Sequence, residues 1–134
     1  MKVLQVLPEL NTGGVERGTL EMGRALVANG YDSYVISNGG ILVDPLEKSG
    51  SRHFHLQVSR KHVMTLFSII RMRDLIKQIA PDIIHVRSRV PAWIVFLSLL
   101  TLPRGLRPRV ISTFHGMYGD CCSYTTTCVT EIVD

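Results

Sequence analysis

KVLQVLPELNTGGVERGTLEMGRALVANG, residues Lys2 to Gly30, is the stretch whose reading decides the fold. Val3, Leu4, Val6 and Leu7 form a near-continuous apolar run that stops at Pro8. A strand covered on both faces reads this way, because neither side of its pleat meets water. The polar, glycine-rich Glu9 to Gly14 follows, and then Val15, Thr19, Met22 and Leu26 recur at helical spacing until Asn29-Gly30 supplies a stop. Strand, glycine loop and helix open a βαβ unit, with Lys2 to Pro8 expected as a central strand.

The same phase repeats down the chain. Tyr31 to Ser37 is a second strand by its β-branched and aromatic content, closed by Asn38-Gly39-Gly40, residues that tolerate positive φ. A short polar helix is expected at Asp44 to Ser49 and a brief strand at His53 to Gln57. The long helical pattern from Val63 to Ile79, with Val63, Leu66, Phe67 and Ile70 on one stripe, stops at Pro81. Asp82 to Val86 reads as a buried strand, Ala92 to Leu102 as an apolar helix and Arg109 to Phe114 as a strand after the turn-rich Pro103 to Pro108. Strands alternating with helices imply right-handed crossovers and a parallel sheet with helices on both faces, an α/β Rossmann-like fold. In such sheets ligands collect in the crevice at the carboxyl ends of the strands.

Composition narrows the function classes. The 134 residues are one domain's worth of chain, and 46% hydrophobic against 19% charged is too apolar for disorder. Ala92 to Leu102 falls well short of the roughly 20 residues that cross a bilayer, and strand-like sequence follows Lys2 at once, so a cytoplasmic location is expected. The three cysteines, Cys121, Cys122 and Cys128, show no CxxC spacing and no partnering histidines, which points to reduced thiols rather than a metal site or disulfide framework. Net charge is +4, but eleven Lys or Arg face only Asp74 and Asp82 between Arg52 and Arg109. That basic half suits a phosphate, a nucleic acid or an acidic lipid surface, or is a plain solvated face. Nucleic acid ranks last, since aromatic interleaving and any recognised binding motif are missing.

Three strand ends carry candidate chemistry. In Asn11-Thr12-Gly13-Gly14 the glycines let the backbone approach a ligand, and the free N–H groups of the following helix start suit a phosphate. The loop is neither GxGxxG nor GK[ST], which disfavours dinucleotide and P-loop classes. His85-Val86-Arg87-Ser88-Arg89 crowds donors at a strand's end, with His85 and Arg87 pointing the same way. The alternative there is a core histidine with snorkelling arginines. Thr113-Phe114-His115-Gly116 presents an imidazole at the third strand end, as a hydrogen-bond partner or a proton-transfer group.

Taken together, Val6-Leu7-Pro8, Gly13-Gly14-Val15-Glu16-Arg17, Ala28-Asn29-Gly30-Tyr31, Pro81-Asp82-Ile83-Ile84-His85 and Thr113-Phe114-His115-Gly116 resemble the amino-terminal domain of GT-B glycosyltransferases of the family 4 type. The match runs from Met1 to Gly119. The resemblance implies the N-terminal half of a GT-B architecture and transfer of a sugar from a nucleotide-diphosphate sugar to a glycan or lipid-linked acceptor, with retention and without a metal or other cofactor. Cell-surface polysaccharide or lipopolysaccharide synthesis is the implied setting. It places Gly13 and Gly14 against the donor phosphates and acceptor, and His115 in the cleft beside the transferred sugar as the catalytic candidate. Arg87 and Ser88 become acceptor-side contacts.

Two departures accompany it. The second, donor-binding domain of such enzymes is not within these 134 residues, so this chain is expected to be inactive alone. The alternatives are a non-catalytic binding module or one subunit of a split enzyme whose donor domain is a separate chain. Asp120 to Asp134 breaks the strand and helix pattern and is expected to be an atypical, poorly ordered tail, as though the chain were truncated or altered there. The basic stretch Arg60 to Lys77, with Lys61, Arg71, Arg73 and Lys77 beside Met64, Phe67 and Ile69, reads either as a crossover helix or as a peripheral contact with an anionic membrane.

Overall fold

The structure is a computed structural model that describes residues 1–58, 64–114 and 126–128. Its strands are β1 Lys2–Val6, β2 Asp32–Ser37, β3 Arg52–His55, β4 Ile83–Arg87, β5 Arg109–Phe114 and β6 Thr126–Cys128, arranged β3-β2-β1-β4-β5-β6. From β1 to β5 every pairing is parallel, and β1 lies between β2 and β4, as its two-sided apolar run demands. The short β6 pairs antiparallel to β5, with Thr113 opposite Thr127. Three residues are too few to show a period, which is why this edge strand has no signature in the sequence.

Helices fill the crossovers: α1 Gly14–Ala28, α2 Val43–Lys48, α3 Met64–Ile79 and α4 Arg89–Leu100. One face of the sheet presents Leu4, Val6, Ile36, Ile84 and Val86 to α3 and α4, where they meet Met72, Ile76, Ile94 and Leu99. The opposite face packs Leu7, Leu10 and Val35 against Leu20 of α1 and Leu46 of α2. Helices thus cover both faces of a Rossmann-like α/β sheet.

Two helix stripes differ from the sequence reading. Leu66, Phe67 and Ile70 are exposed, whereas Met72, Ile76 and Ile79 enter the core. The amino-terminal half of α3 carries apolar residues on more than one side, so periodicity could not choose the inward stripe. In α1 the buried residues are Thr19, Leu20 and Gly23, while Met22 faces out. Here the inward face is built of small residues because the helix lies close to the sheet: a Cβ on Gly23 would sit 2.8 Å from Ser51 Oγ.

The loops at the carboxyl end are zipped together. Asn38 N–H donates to the Pro8 carbonyl, Leu10 N–H to Gly39 and Leu42 N–H to Leu10. Gly40 has φ 144°, and a Cβ there would strike the Leu10 carbonyl, so both backbone and packing require glycine. The loop after β2 therefore props the loop after β1, which leads into Gly13 and Gly14. Among the described residues no helix is long and apolar enough to cross a membrane.

Candidate functional site

The site grows from two strand ends. β1 delivers the chain through the propped loop to Gly13, the N-cap of α1, whose extended backbone accepts a hydrogen bond from Arg17 N–H at 3.0 Å. No side-chain hydrogen bond caps this helix start. Its first-turn amides therefore point out of the helix with the positive end of the helix dipole behind them. The Glu16 carboxylate folds back against Gly13. Gly14 differs from Gly40: its φ is not positive, and no atom of the described residues lies within 4 Å of where its Cβ would be. Among the described residues neither backbone nor local packing requires glycine at position 14.

β4 supplies the second end. Arg87 is its last residue and is only 7% exposed, lying beneath the first turn of α1 where Nη1 donates to the Val15 carbonyl at 3.4 Å. Burial pushes the guanidinium below its ordinary value by desolvation, yet it remains a cation at neutral pH. Its buried Nε has no hydrogen-bond partner among the described residues. A buried cation incompletely partnered thus lies beside the start of α1, whose first turn also carries the Glu16 carboxylate.

Ser88, the N-cap of α4, has φ 118° and ψ 153°, a region that side-chain-bearing residues avoid at a cost of about 1–3 kcal/mol. The strain sits at the strand-to-helix turn directly after the buried Arg87. His85 points to the same side as Arg87 and sits 2.8 Å, Nε2 to Oγ1, from Thr113. It links β4 to β5 and is not aimed freely at the crevice. His115 lies outside the described residues; the chain before it is held by β5, where Thr113 is in register with Arg87.

The structure thus brings Gly13, Gly14, Arg87 and Ser88 to one region, from positions about seventy residues apart. Sequence reasoning missed Gly18. A Cβ there would lie 3.1 Å from Arg87 Nη1, so glycine in the middle of α1 makes the room in which the guanidinium lies. The available signal was the glycine itself, since glycine inside a helix costs about 1 kcal/mol against alanine and calls for a packing reason.

Parallel strands in the order β3-β2-β1-β4-β5, with helices on both faces and a crevice at their carboxyl ends, define the class as Rossmann-like α/β domains. Residues 12–127 match the sequence model of Glycosyltransferase Family 4, and the chain belongs to that family. Among solved structures it is similar to a glycosyltransferase from Rickettsia africae ESF-5, with 36% identity and a TM-score of 0.75. The similarity covers 90% of this chain and 31% of that one, so the chain spans about a third of its solved relative's length. No curated protein matches it.

Proposed function

We propose that this domain forms the acceptor side of a retaining glycosyltransferase that moves a sugar from a nucleotide-diphosphate sugar to a glycan or lipid-linked acceptor of the cell surface, such as a polysaccharide or lipopolysaccharide precursor. The observation that carries the proposal is Arg87, a buried cation beneath the uncapped first turn of α1. As the bond from sugar to diphosphate breaks, negative charge grows on the leaving oxygen. Fixed amides and a desolvated guanidinium stabilise that charge without reorganising. Gly13 and Gly14 admit the phosphates close to those amides, Ser88 offers a hydroxyl to the acceptor, and His115 hydrogen-bonds the sugar in the cleft.

The nucleotide is held, in this proposal, by a donor-binding domain beyond residues 1–119, on the same polypeptide or on a separate chain. The domain alone binds without turning over. It works on the cytoplasmic side, with α3 able to rest on an anionic membrane. Arg71, Arg73 and Lys77 supply the charge, and exposed Leu66, Phe67 and Ile70 the apolar part. Ile69, by contrast, packs partly buried on the core, and Lys61 lies outside the described residues.

The test is release of nucleoside diphosphate by the two-domain enzyme that carries this domain. His115→Ala and Gly14→Val should each lower turnover by about a hundredfold or more. Normal kinetics in both would remove the proposed site.

A further inference from the structure

Ser37 closes β2 and is completely buried, so its hydroxyl needs internal partners in place of water. Two are present among the described residues. Gly39 N–H donates to Ser37 Oγ at 3.1 Å, and His53 Nε2, on the neighbouring strand β3, lies 2.8 Å from the same oxygen. The amide can only donate. The hydroxyl proton is therefore assigned to His53 Nε2, which accepts it in a neutral ring that carries its own proton on Nδ1.

These three groups grip the turn that props the glycine loop. Gly39, held by Ser37 through its N–H, receives Leu10 N–H on its carbonyl at 2.8 Å, and Asn38 N–H donates to the Pro8 carbonyl at 2.9 Å. Gly40 lies so close against the Leu10 carbonyl that no Cβ fits between them. Gly39 and Gly40 hold φ of 88° and 144°, outside any helix or strand, so the turn depends on these bonds for its shape. From Leu10 the chain runs directly to Gly13, the N-cap of α1.

We infer that His53 is a positioning residue for the glycine loop: by accepting the Ser37 proton it keeps the Ser37 oxygen for Gly39, and Gly39 in turn places Leu10 and the approach to Gly13 and Gly14. This deepens the proposed function and rests on Gly13 and Gly14 meeting the ligand's phosphates. Acid sensitivity is a consequence. A protonated His53 presents an N–H at Nε2, so two donors then face the Ser37 oxygen and the buried hydroxyl proton loses its acceptor. Burial acts most strongly on the ring and favours its neutral form, Glu47 of α2 opposes this and His55 of the same strand adds to it, so the ring takes up its proton below the ordinary 6.5.

The test is an NMR titration of the 134-residue chain between about pH 7.5 and 5. The amide resonances of Gly39, Leu10, Gly13 and Gly14 should move together, with the midpoint shown by the His53 ring protons. In His53→Gln, whose side-chain oxygen accepts the Ser37 proton at every pH, these movements should vanish while amide exchange at Gly39 and Leu10 stays slow. In His53→Leu, which has bulk but no acceptor, those two amides should exchange about tenfold faster, with the β1 amides of Leu4 and Val6 unchanged. Gly13 and Gly14 resonances that stay fixed while Gly39 titrates overturn the inference, as do loop movements that persist in His53→Gln. Exchange raised equally in β1 also overturns it and makes His53 a packing residue; if His53→Leu does not fold, the glutamine variant decides. In the two-domain enzyme the acid limb of kcat should share the midpoint and disappear in His53→Gln, and a limb unchanged by that substitution overturns the inference. Failure of that enzyme to transfer sugar at any pH would sink the proposed function, and the coupling seen in the amides would stand.

Discussion

The two faces of the sheet are built from different chemistry. Under α3 and α4 the strands present Leu4, Val6, Ile36, Ile84 and Val86, and the layer is held by aliphatic contact. Under α1 and α2 the same strands mix the apolar Val35 with Gln5, Ser33, Ser37, His53, His85 and Arg87, so a smaller aliphatic cluster is set among hydrogen-bonded polar groups. Ser51 Oγ donates to Ser33 Oγ at 2.9 Å, Gln5 Nε2 to the Thr19 carbonyl at 3.2 Å, and Ser37 Oγ lies 2.8 Å from His53 Nε2. A Cβ on Gly23 would lie 2.8 Å from Ser51 Oγ and one on Gly18 3.1 Å from the Arg87 guanidinium, so both glycines let α1 lie close over this polar surface. One face stores non-directional stability, and the other holds polar groups in defined places. The candidate ligand groups belong to the second.

That contrast can be broken by mutation. The largest effect should come from the aliphatic face: Ile84→Ala, at a fully buried position, should cost about 2–5 kcal/mol in urea unfolding. Ligand affinity per folded molecule should hold. A smaller cost would mean that this face is less tightly packed than its burial indicates.

On the polar face stability and function should separate. Gly18→Ala gains about 1 kcal/mol of helix propensity but places a methyl 3.1 Å from the Arg87 guanidinium. Unfolding should change by about 1 kcal/mol or less, while turnover of the two-domain enzyme falls about tenfold. The sharper form is a double-mutant cycle with Arg87→Met. If Gly18 acts by making room for Arg87, its substitution should cost nothing further once the guanidinium is gone.

Ser88→Gly should relieve the positive-φ strain and stabilise the chain by about 1 kcal/mol, raising the thermal midpoint while weakening acceptor binding. An unchanged or lowered midpoint would show that the turn is not strained.

The smallest effect concerns pH. Burial holds the His53 imidazole below its usual 6.5, the nearby Glu47 opposing this and His55 adding to it. The folded state therefore prefers the neutral ring, and the unfolded chain takes up a proton first as pH falls. Stability from this residue is whole above about pH 6.5 and declines below it. His53→Gln should flatten the urea midpoint between about pH 7 and 5.5, and an unaltered slope would place the dependence elsewhere.

How far these features were legible follows from their range along the chain. The Lys2 to Pro8 strand, the glycine loop and the alternation of strands and helices depend on neighbours within a few residues, and the structure has them where the periodicity put them. The inward stripe of α3 was not legible, because Leu66, Phe67, Ile69 and Ile70 offer competing faces and only contact with the sheet selects Met72 and Ile76. Gly18 was not legible as an element of the site, because its reason is a guanidinium sixty-nine residues further on. The exposure of Trp93, Leu97 and Leu100 on α4 was hidden for a similar cause: an almost wholly apolar helix gives no sign of which side is left uncovered.

The sequence by itself determined the fold class and the strand ends at which Gly13, Gly14, Arg87 and Ser88 stand, since these rest on local periodicity and local turn chemistry, and its separated motifs carried the resemblance to the family. Only the tertiary structure decided that Arg87 is buried beneath α1, that Ser88 is strained and that Trp93 is left in water. Burial and strain are properties of how distant segments close on one another, and no stretch of chain carries them alone.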